Sequence, residues 1–182
     1  RIGLLLGLSG SMFFGLNAYM GNLLEQQGKI SMLSEALFWY NIAQVFASLV
    51  VLKMARRWVG SRTTIVITAA LSILGTTGTV FLEGWWFIAS ATVMSFVAGI
   101  LLILLVALPP LLVSSAETGR LSAGTFLVGY TMGFCVPMLG GLIADTTGDP
   151  RHAIITMIAY SVLVLPLAFT LNLERKKDQP ES

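Results

Sequence analysis

The sequence has little charge and almost no cysteine or histidine. Only 11% of its 182 residues are charged, whereas a typical soluble domain carries about 25%, so an ordinary water-soluble globule is excluded. The single cysteine, Cys135, has no partner in the chain, which excludes an internal disulfide framework and a Cys-x-x-Cys redox or metal site. One histidine cannot form a metal-ligating cluster by itself. We therefore expect neither a metal nor a cofactor.

The signatures of catalysis are missing as well. The sequence contains no paired intramembrane carboxylates, no His-Glu-x-x-His, no Gly-x-Ser-x-Gly elbow and no phosphate-binding glycine loop. Its eleven basic residues are scattered among short loops and form no continuous basic face, despite a net charge of +2. The chain is therefore predicted not to be an enzyme and not to bind nucleic acid.

What the chain has in excess is apolar sequence. Hydrophobic residues make up 55% of it, and they form six runs that reach the ~20 residues needed to cross a bilayer. Because backbone groups in lipid must be bonded within each segment, all six runs are predicted to be helices. The fold class is therefore an all-α polytopic membrane protein, with a transmembrane domain at residues 1–173 and a basic tail at 174–182. The predicted spans lie at about residues 2–24, 34–52, 64–82, 86–113, 121–144 and 153–173.

The basic residues predict the orientation of these spans. An even number of spans places both termini on one side of the bilayer. Nine of the eleven Lys and Arg residues fall on that side, in Arg1, the Lys53–Arg62 segment, Arg120 and the tail, and only Lys29 and Arg151 fall on the other. The positive-inside rule then places both termini in the cytoplasm.

A weak internal repeat divides the chain into two halves. An offset of 88 residues brings the second span onto the fifth, aligning Leu33, Ser34, Phe38 and Gly60 with Leu121, Ser122, Phe126 and Gly148. Two units of three helices necessarily run in opposite directions, so the six spans are predicted to be two inverted three-helix repeats.

Neutral polar residues inside the spans are the candidate binding residues. Asn41, Gln44 and Ser48 share one face of the second helix, and amides facing lipid would be costly, so this face is expected to meet protein or water. The first helix carries two stripes, one with Tyr19 and the other with Asn17, of which one is expected to face a cavity and the other a neighbouring helix. Hydrogen bonding between helices, without any solute, remains an alternative for all these residues.

The fifth span is rich in small residues. Gly129, Gly133 and Gly140 lie to one side of it, with Tyr130 and Pro137 beside them. Small residues permit close helix packing in lipid and proline permits a bend, so we interpret these glycines and Pro137 as packing or hinge positions.

Two sets of motifs resemble a known family. The segment Lys53-Met-Ala-Arg-Arg-Trp-Val-Gly-Ser-Arg62 is similar to a degenerate form of the cytoplasmic signature of the major facilitator superfamily, with Gly60 and Arg62 matching. Arg56 or Arg57 stands where that signature has an aspartate. The resemblance implies that the chain is half of a major facilitator fold, its carboxy-terminal six helices.

A narrower resemblance points to one branch of that family. Phe14-Gly-Leu-Asn-Ala-Tyr19, Leu121-Ser-Ala-Gly124, Gly140-Gly-Leu142 and Asp145-Thr-Thr-Gly148 are similar to motifs of cyanate and nitroimidazole transporters. This resemblance implies a permease of the bacterial inner (plasma) membrane that moves a small organic or anionic solute by alternating access. It also implies a central cavity lined by the first, second, fourth and fifth helices, with candidate substrate-binding residues Asn17, Tyr19, Asn41, Gln44 and Tyr130.

Such transporters hold their substrate between two six-helix halves. We therefore expect a partner for this chain, either an amino-terminal half or a second copy, in addition to the lipid bilayer and the solute. The alternative function is a six-helix membrane protein that transports nothing and has a structural or regulatory role through a bound partner.

Overall fold

The computed structural model describes residues 1–171, and within this range it is all-helical with no strand. Six helices, counting α7 and α8 together, are long and apolar enough to cross a membrane, which confirms the predicted fold class. The predicted tail, 174–182, lies outside the described residues. The helices are α1 (Ile2–Gln26), α2 (Leu33–Trp58), α3 (Arg62–Phe81), α4 (Trp85–Val106), α5 (Pro109–Leu112), α6 (Ser115–Thr147), α7 (Arg151–Ser161) and α8 (Val164–Phe169).

Prolines divide two of the predicted spans. The fourth, predicted to reach residue 113, ends in the structure at Val106, and the single turn α5 begins at Pro109. Proline has no N–H for the carbonyl four residues before it, so it fits the first turn of a helix best and tends to end or bend a helix elsewhere. Pro166 acts in the same way on the sixth span, because the carbonyl of Val162 loses its helical partner and the chain turns between α7 and α8.

The connection between α2 and α3 is shorter than the sequence suggests. Lys53, Arg56 and Arg57 are not in a loop but in the last turns of α2, where long basic side chains extend from an apolar helix toward water. Only residues 59–61 connect the helices, and Gly60 adopts φ +80°, which a residue with a side chain rarely does. Ser61 then caps α3 by accepting a hydrogen bond from the backbone N–H of Thr64 at 3.3 Å.

The helices interlace in the way expected of inverted repeats. Helix α1 lies at the centre, with 72% of its most apolar residues buried, whereas α6 lies outside with 22%. Helix α6 packs along α1, and its counterpart α2 packs along α4, so each unit's second helix rests on the other unit's first helix. Gly60 and Gly148, aligned by the 88-residue offset, both follow these second helices with positive φ. Neither three-helix unit is therefore compact without the other.

The two ends of the bundle are held by different contacts. At one end, Lys29 pairs with Glu83 at 2.9 Å, and Gln26 donates a hydrogen bond to Asp149 at 3.1 Å. At the other end, Arg1 donates to the carbonyl of Thr170 at 2.9 Å, and Arg62 donates to the carbonyl of Leu171. The first and last described residues therefore lie at the same end of the bundle, as six spans require.

Candidate functional site

A small apolar cavity opens where α1, α4 and α6 meet. Its volume is about 120 Å³. Phe126 and Tyr130 stack along one side with ring centroids 5.9 Å apart, and Tyr130 is 53% exposed. The lining residues are Leu6, Gly10, Phe14, Leu102, Val106, Phe126, Gly129 and Tyr130. Apart from the Tyr130 phenol this lining carries no ionisable side chain, so its chemistry is aromatic and neutral.

The same surface continues along α1. Gly10, Phe14, Asn17 and Gly21 are spaced by four, three and four residues, and therefore lie on one side of the helix. Phe14 stacks on Phe134 of α6 with centroids 6.1 Å apart. On the opposite flank, Phe13 stacks on Tyr40 of α2 at 5.1 Å. Asn17 is half-buried on the strip between these two aromatic contacts.

Helix α2 has two flanks of different chemistry. Asn41, Gln44 and Ser48 occupy one flank. The other flank carries Trp39, Ile42 and Phe46, which line a wholly apolar groove of about 250 Å³ together with α4. Such a groove suits lipid, whereas the amide flank does not. We call the surface formed by the cavity, the exposed strip of α1 and the amide flank of α2 the central face.

Gln44 contacts α4 at Gly99. A side-chain carbon at position 99 would lie 3.7 Å from Gln44 Nε2, and Leu102, three residues further along α4, lines the cavity. Gln44 Nε2 is buried and has no hydrogen-bond partner within residues 1–171. Buried polar groups are nearly always bonded, so this amide stands out among the polar groups of α2.

Asn41 and Ser48, the other polar residues of the amide flank, are bonded within their own helix. Asn41 is exposed and donates from Nδ2 to the carbonyl of Leu37 at 2.7 Å. Ser48 donates to the carbonyl of Gln44 at 2.9 Å. The bond to Leu37 occupies one N–H of the Asn41 amide, which has a second N–H and an oxygen besides.

Tyr19 lies away from the central face. It follows Asn17 by two residues, which is about 200° of rotation on a helix. Its hydroxyl donates to the carbonyl of Pro137 at 3.2 Å. It lines a second cavity of about 430 Å³ at the Lys29–Glu83 end, with Glu25 and Asp145. Tyr130 therefore lines the first cavity and Gln44 packs on the neighbouring stretch of α4, whereas Tyr19 lines the second cavity.

The small residues of α6 lie at helix contacts. A side-chain carbon at Gly129 would be 2.8 Å from Leu6, and one at Gly140 would be 2.8 Å from the carbonyl of Ala153 in α7. Gly133 lies beside Phe14 of α1. Pro137 is inside the continuous helix α6 and removes the N–H that would bond the carbonyl of Gly133.

Sequence reasoning missed the aromatic part of the surface. Phe126, Tyr130 and Phe134 follow one another at intervals of four along α6, a spacing that could have been read as one face. Nothing in the sequence states that α1 and α6 are neighbours, so the contact between Phe14 and Phe134 could not be predicted. The candidate signature residues Arg56 and Arg57 are exposed at the end of α2, about two turns beyond Ser48 of this face.

Comparison with known proteins gives one match. No curated protein and no solved structure is similar to the chain. The family model of the Major Facilitator Superfamily matches residues 2–182. The six membrane-spanning helices agree with this match, and the chain belongs to the major facilitator superfamily of membrane transporters.

Proposed function

We propose that this chain forms the carboxy-terminal half of a secondary transporter that moves a small organic or anionic solute by alternating access. The observation that carries the proposal is the central face, which combines three amides, a phenol and several aromatic rings beside a cavity, together with Gln44 Nε2, which lacks a hydrogen-bond partner within the described residues. A surface of this kind is costly against lipid and is suited to a solute held between two protein halves.

In this proposal, four residues orient the solute. The amides of Asn17, Asn41 and Gln44 donate and accept hydrogen bonds, and Tyr130 supplies its hydroxyl beside the stacked ring of Phe126. Tyr19 instead links α1 to α6 through its hydrogen bond to the carbonyl of Pro137. Since the cavity lining has no basic side chain, the positive charge for an anionic solute comes from the other half.

The other half is an amino-terminal six-helix unit or a second copy of this chain. Both termini lie in the cytoplasm, as the nine basic residues on one side favour. The membrane is a bacterial inner (plasma) membrane, as the motif resemblance implies. The domain occupies residues 1–173, with 174–182 as a cytoplasmic tail. Gly129, Gly133, Pro137 and Gly140 serve as packing or hinge positions when the halves rock. The signature segment with Arg56, Arg57, Gly60 and Arg62 lies at the cytoplasmic surface.

The solute class follows from the motif resemblance to cyanate and nitroimidazole transporters. The test is uptake of labelled cyanate and of a labelled nitroimidazole by cells that make the complete protein. We expect Asn41→Ala and Gln44→Ala each to raise the half-saturation concentration about fivefold to tenfold, as loss of one hydrogen bond predicts. The control is Asn22→Ala, which removes an exposed amide of α1 from the second cavity. Unchanged uptake in both test variants would remove these residues from the site.

A labelling experiment separates transport from a partner-binding role. In a Cys135→Ser background, which removes the exposed native thiol, Asn41→Cys, Gln44→Cys and Ser48→Cys are treated with a water-soluble thiol reagent. Labelling that a solute slows indicates a water-filled transport cavity. Resistance to the reagent in every condition would instead mean that the amide flank is sealed against a protein partner.

A further inference from the structure

A further cavity of the described chain lies away from the central face. It has a volume of about 700 Å³ and lies at the Arg1 end, between the start of α1, the end of α5 and the first half of α6. Gly124 and Val128 line it, and each is two residues from Phe126, or about 200° around α6. This cavity therefore opens on the side of α6 opposite the central face, where the proposed transport pathway does not reach.

The mouth of the cavity is charged. Arg1 and Arg120 contribute two guanidinium groups, and Glu117 contributes one carboxylate. Glu117 accepts a hydrogen bond from the hydroxyl of Ser114 at 3.2 Å, at the beginning of α6, where the helix dipole also favours a negative charge. The mouth keeps a net positive charge of one, and a guanidinium presents paired N–H groups that match two oxygens of a phosphate.

The wall behind the mouth is apolar. Its side chains include Ile2, Leu121, Val128 and Leu171. A side-chain carbon built on Gly124 meets no atom within 4 Å, so the space in front of this glycine is empty. From Arg120 to Val128 the helix rises ~12 Å. The cavity therefore leads from a cationic mouth into an apolar channel. The depth of this channel is about half the thickness of one leaflet with its headgroups.

The depth of the mouth in the bilayer fits a lipid headgroup. Helix α6 has 33 residues and is ~50 Å long, so it extends beyond the ~30 Å hydrocarbon layer. Arg120 is the last charged residue before the apolar run that begins at Leu121. The guanidinium of Arg120 thus lies at the border between hydrocarbon and headgroups, which is the level of a phospholipid phosphate.

We propose that this cavity binds one anionic phospholipid, with its phosphate on Arg120 and Arg1 and one acyl chain over Gly124. A small soluble anion would use only the mouth, whereas a phospholipid uses the mouth and the apolar wall together. The site is built from this chain alone and is separate from the proposed solute site.

Native mass spectrometry of the complete protein tests the proposal. The protein is released from vesicles that contain equal amounts of phosphatidylglycerol and phosphatidylcholine. The number of molecules of each lipid that stay bound to the protein is then measured. Arg120→Gln should lower the ratio of retained phosphatidylglycerol to phosphatidylcholine about fivefold. This is the effect expected when one basic residue is removed from an anionic surface. Gly124→Leu should lower retention of the lipid by filling the channel. Glu117→Gln should raise the preference, a gain that a merely misfolded variant could not give.

Two matched control variants change residues outside the cavity. One replaces another glycine of α6, and the other removes another arginine. Gly119→Leu changes another glycine of α6 that faces open space, and Arg57→Gln removes an exposed arginine from the end of α2. Both should retain lipid as the wild type does. Equal retention in all five variants would overturn the proposal and indicate that another segment or subunit fills the cavity. An effect of Arg120→Gln without one of Gly124→Leu would also overturn it, because a soluble anion at the mouth would explain the result.

Discussion

The two outer helices α2 and α6 are counterparts in the repeat, yet they rest on the central helices in different ways. Helix α6 meets α1 through glycine, and a side-chain carbon at Gly7 would lie 2.6 Å from the carbonyl of Gly129. Helix α2 meets α4 through alanine at positions 43 and 47 and through a hydrogen bond of 2.6 Å from Ser95 to the carbonyl of Tyr40. The first contact brings backbone against backbone, whereas in the second the side chains of Ala47 and Gln44 pack on Gly99 of α4.

The difference matters because lipid gives apolar helices no hydrophobic reason to associate. Van der Waals contact and hydrogen bonds then decide how firmly two helices are held. The α1–α6 contact admits one geometry, since backbone atoms cannot move aside. The α2–α4 contact contains the unpaired amide of Gln44 and is held by groups that can exchange partners. We infer that α2 changes position on its neighbour more easily than α6 does.

The largest effect should come from adding one carbon to the α1–α6 contact. Gly7→Ala forces α6 away from α1, and we expect a loss of about 1–3 kcal/mol in the free energy of unfolding, as for other overpacked contacts. Denaturant titration in detergent micelles measures it. Gly21→Ala on the same helix, where the nearest atom is 3.7 Å away, is the control and should be neutral or slightly stabilising. Equal stability of the two variants would mean that the contact is not close-packed.

The far end of the same contact can be tested by a double-mutant cycle. A side-chain carbon at Gly141 would collide with the Tyr19 hydroxyl, so Gly141→Ala displaces that hydroxyl from its bond to Pro137. We expect each of Gly141→Ala and Tyr19→Phe to cost about 1 kcal/mol. The double variant should cost little more than either single one, because both remove the same bond. Additive losses would show that the two residues act independently.

At the α2–α4 contact, two substitutions should act in opposite directions. Ser95→Ala removes a bond between the helices and should cost about 1 kcal/mol. Gln44→Met replaces a buried amide that lacks a partner and should stabilise the chain by about 1 kcal/mol, while weakening solute uptake under the proposed function. The same detergent titration measures both. If Gln44→Met destabilises the protein, the Gln44 amide has a hydrogen-bond partner outside the described residues.

The smallest effect on stability should come from the loops at the Lys29–Glu83 end of the bundle. The hydrogen bond from Lys29 holds the pKa of Glu83 below its usual value, and the backbone N–H of Arg151 does the same for the pKa of Asp149. A lowered carboxyl pKa stabilises the fold above the unfolded-state pKa of about 4, and this stabilisation is lost as the pH falls through the folded-state pKa. The melting temperature should therefore decrease slightly in acid, and less so in Glu83→Gln. The control is Glu35→Gln, which changes another exposed carboxylate. Its melting temperature should decrease in acid as much as that of the wild type.

The number of spans and their helical nature follow from the sequence because lipid leaves the backbone no other choice. The ends of the spans follow less well. Lys53 and Arg57 are charged, yet they extend α2, because their long side chains reach water from within a helix. Pro166 lies inside an apolar run. A hydropathy profile carries no information on backbone hydrogen bonds, so it does not show that proline lacks the N–H needed to continue the helix.

The candidate site was only partly predictable for a related reason. Helical spacing separates the stripe of Asn17 from that of Tyr19, but both stripes contain small and polar residues. Which stripe is covered depends on where α6 lies, and that is decided by glycine contacts between residues more than a hundred positions apart. Only the folded chain shows that Tyr19 bonds to Pro137 while Asn17 stays beside the open surface.

The interlaced arrangement also has a consequence for how the protein is made. Gly7 of α1 leaves the ribosome long before Met132, the residue of α6 that covers it. At a synthesis rate of ~5–20 residues per second, roughly 6–25 s pass between the two. During that interval the glycine surface of α1 is bare in the membrane. The contact between α1 and α6 therefore forms only after the fifth span has been inserted, and lipid covers the glycine surface of α1 until then.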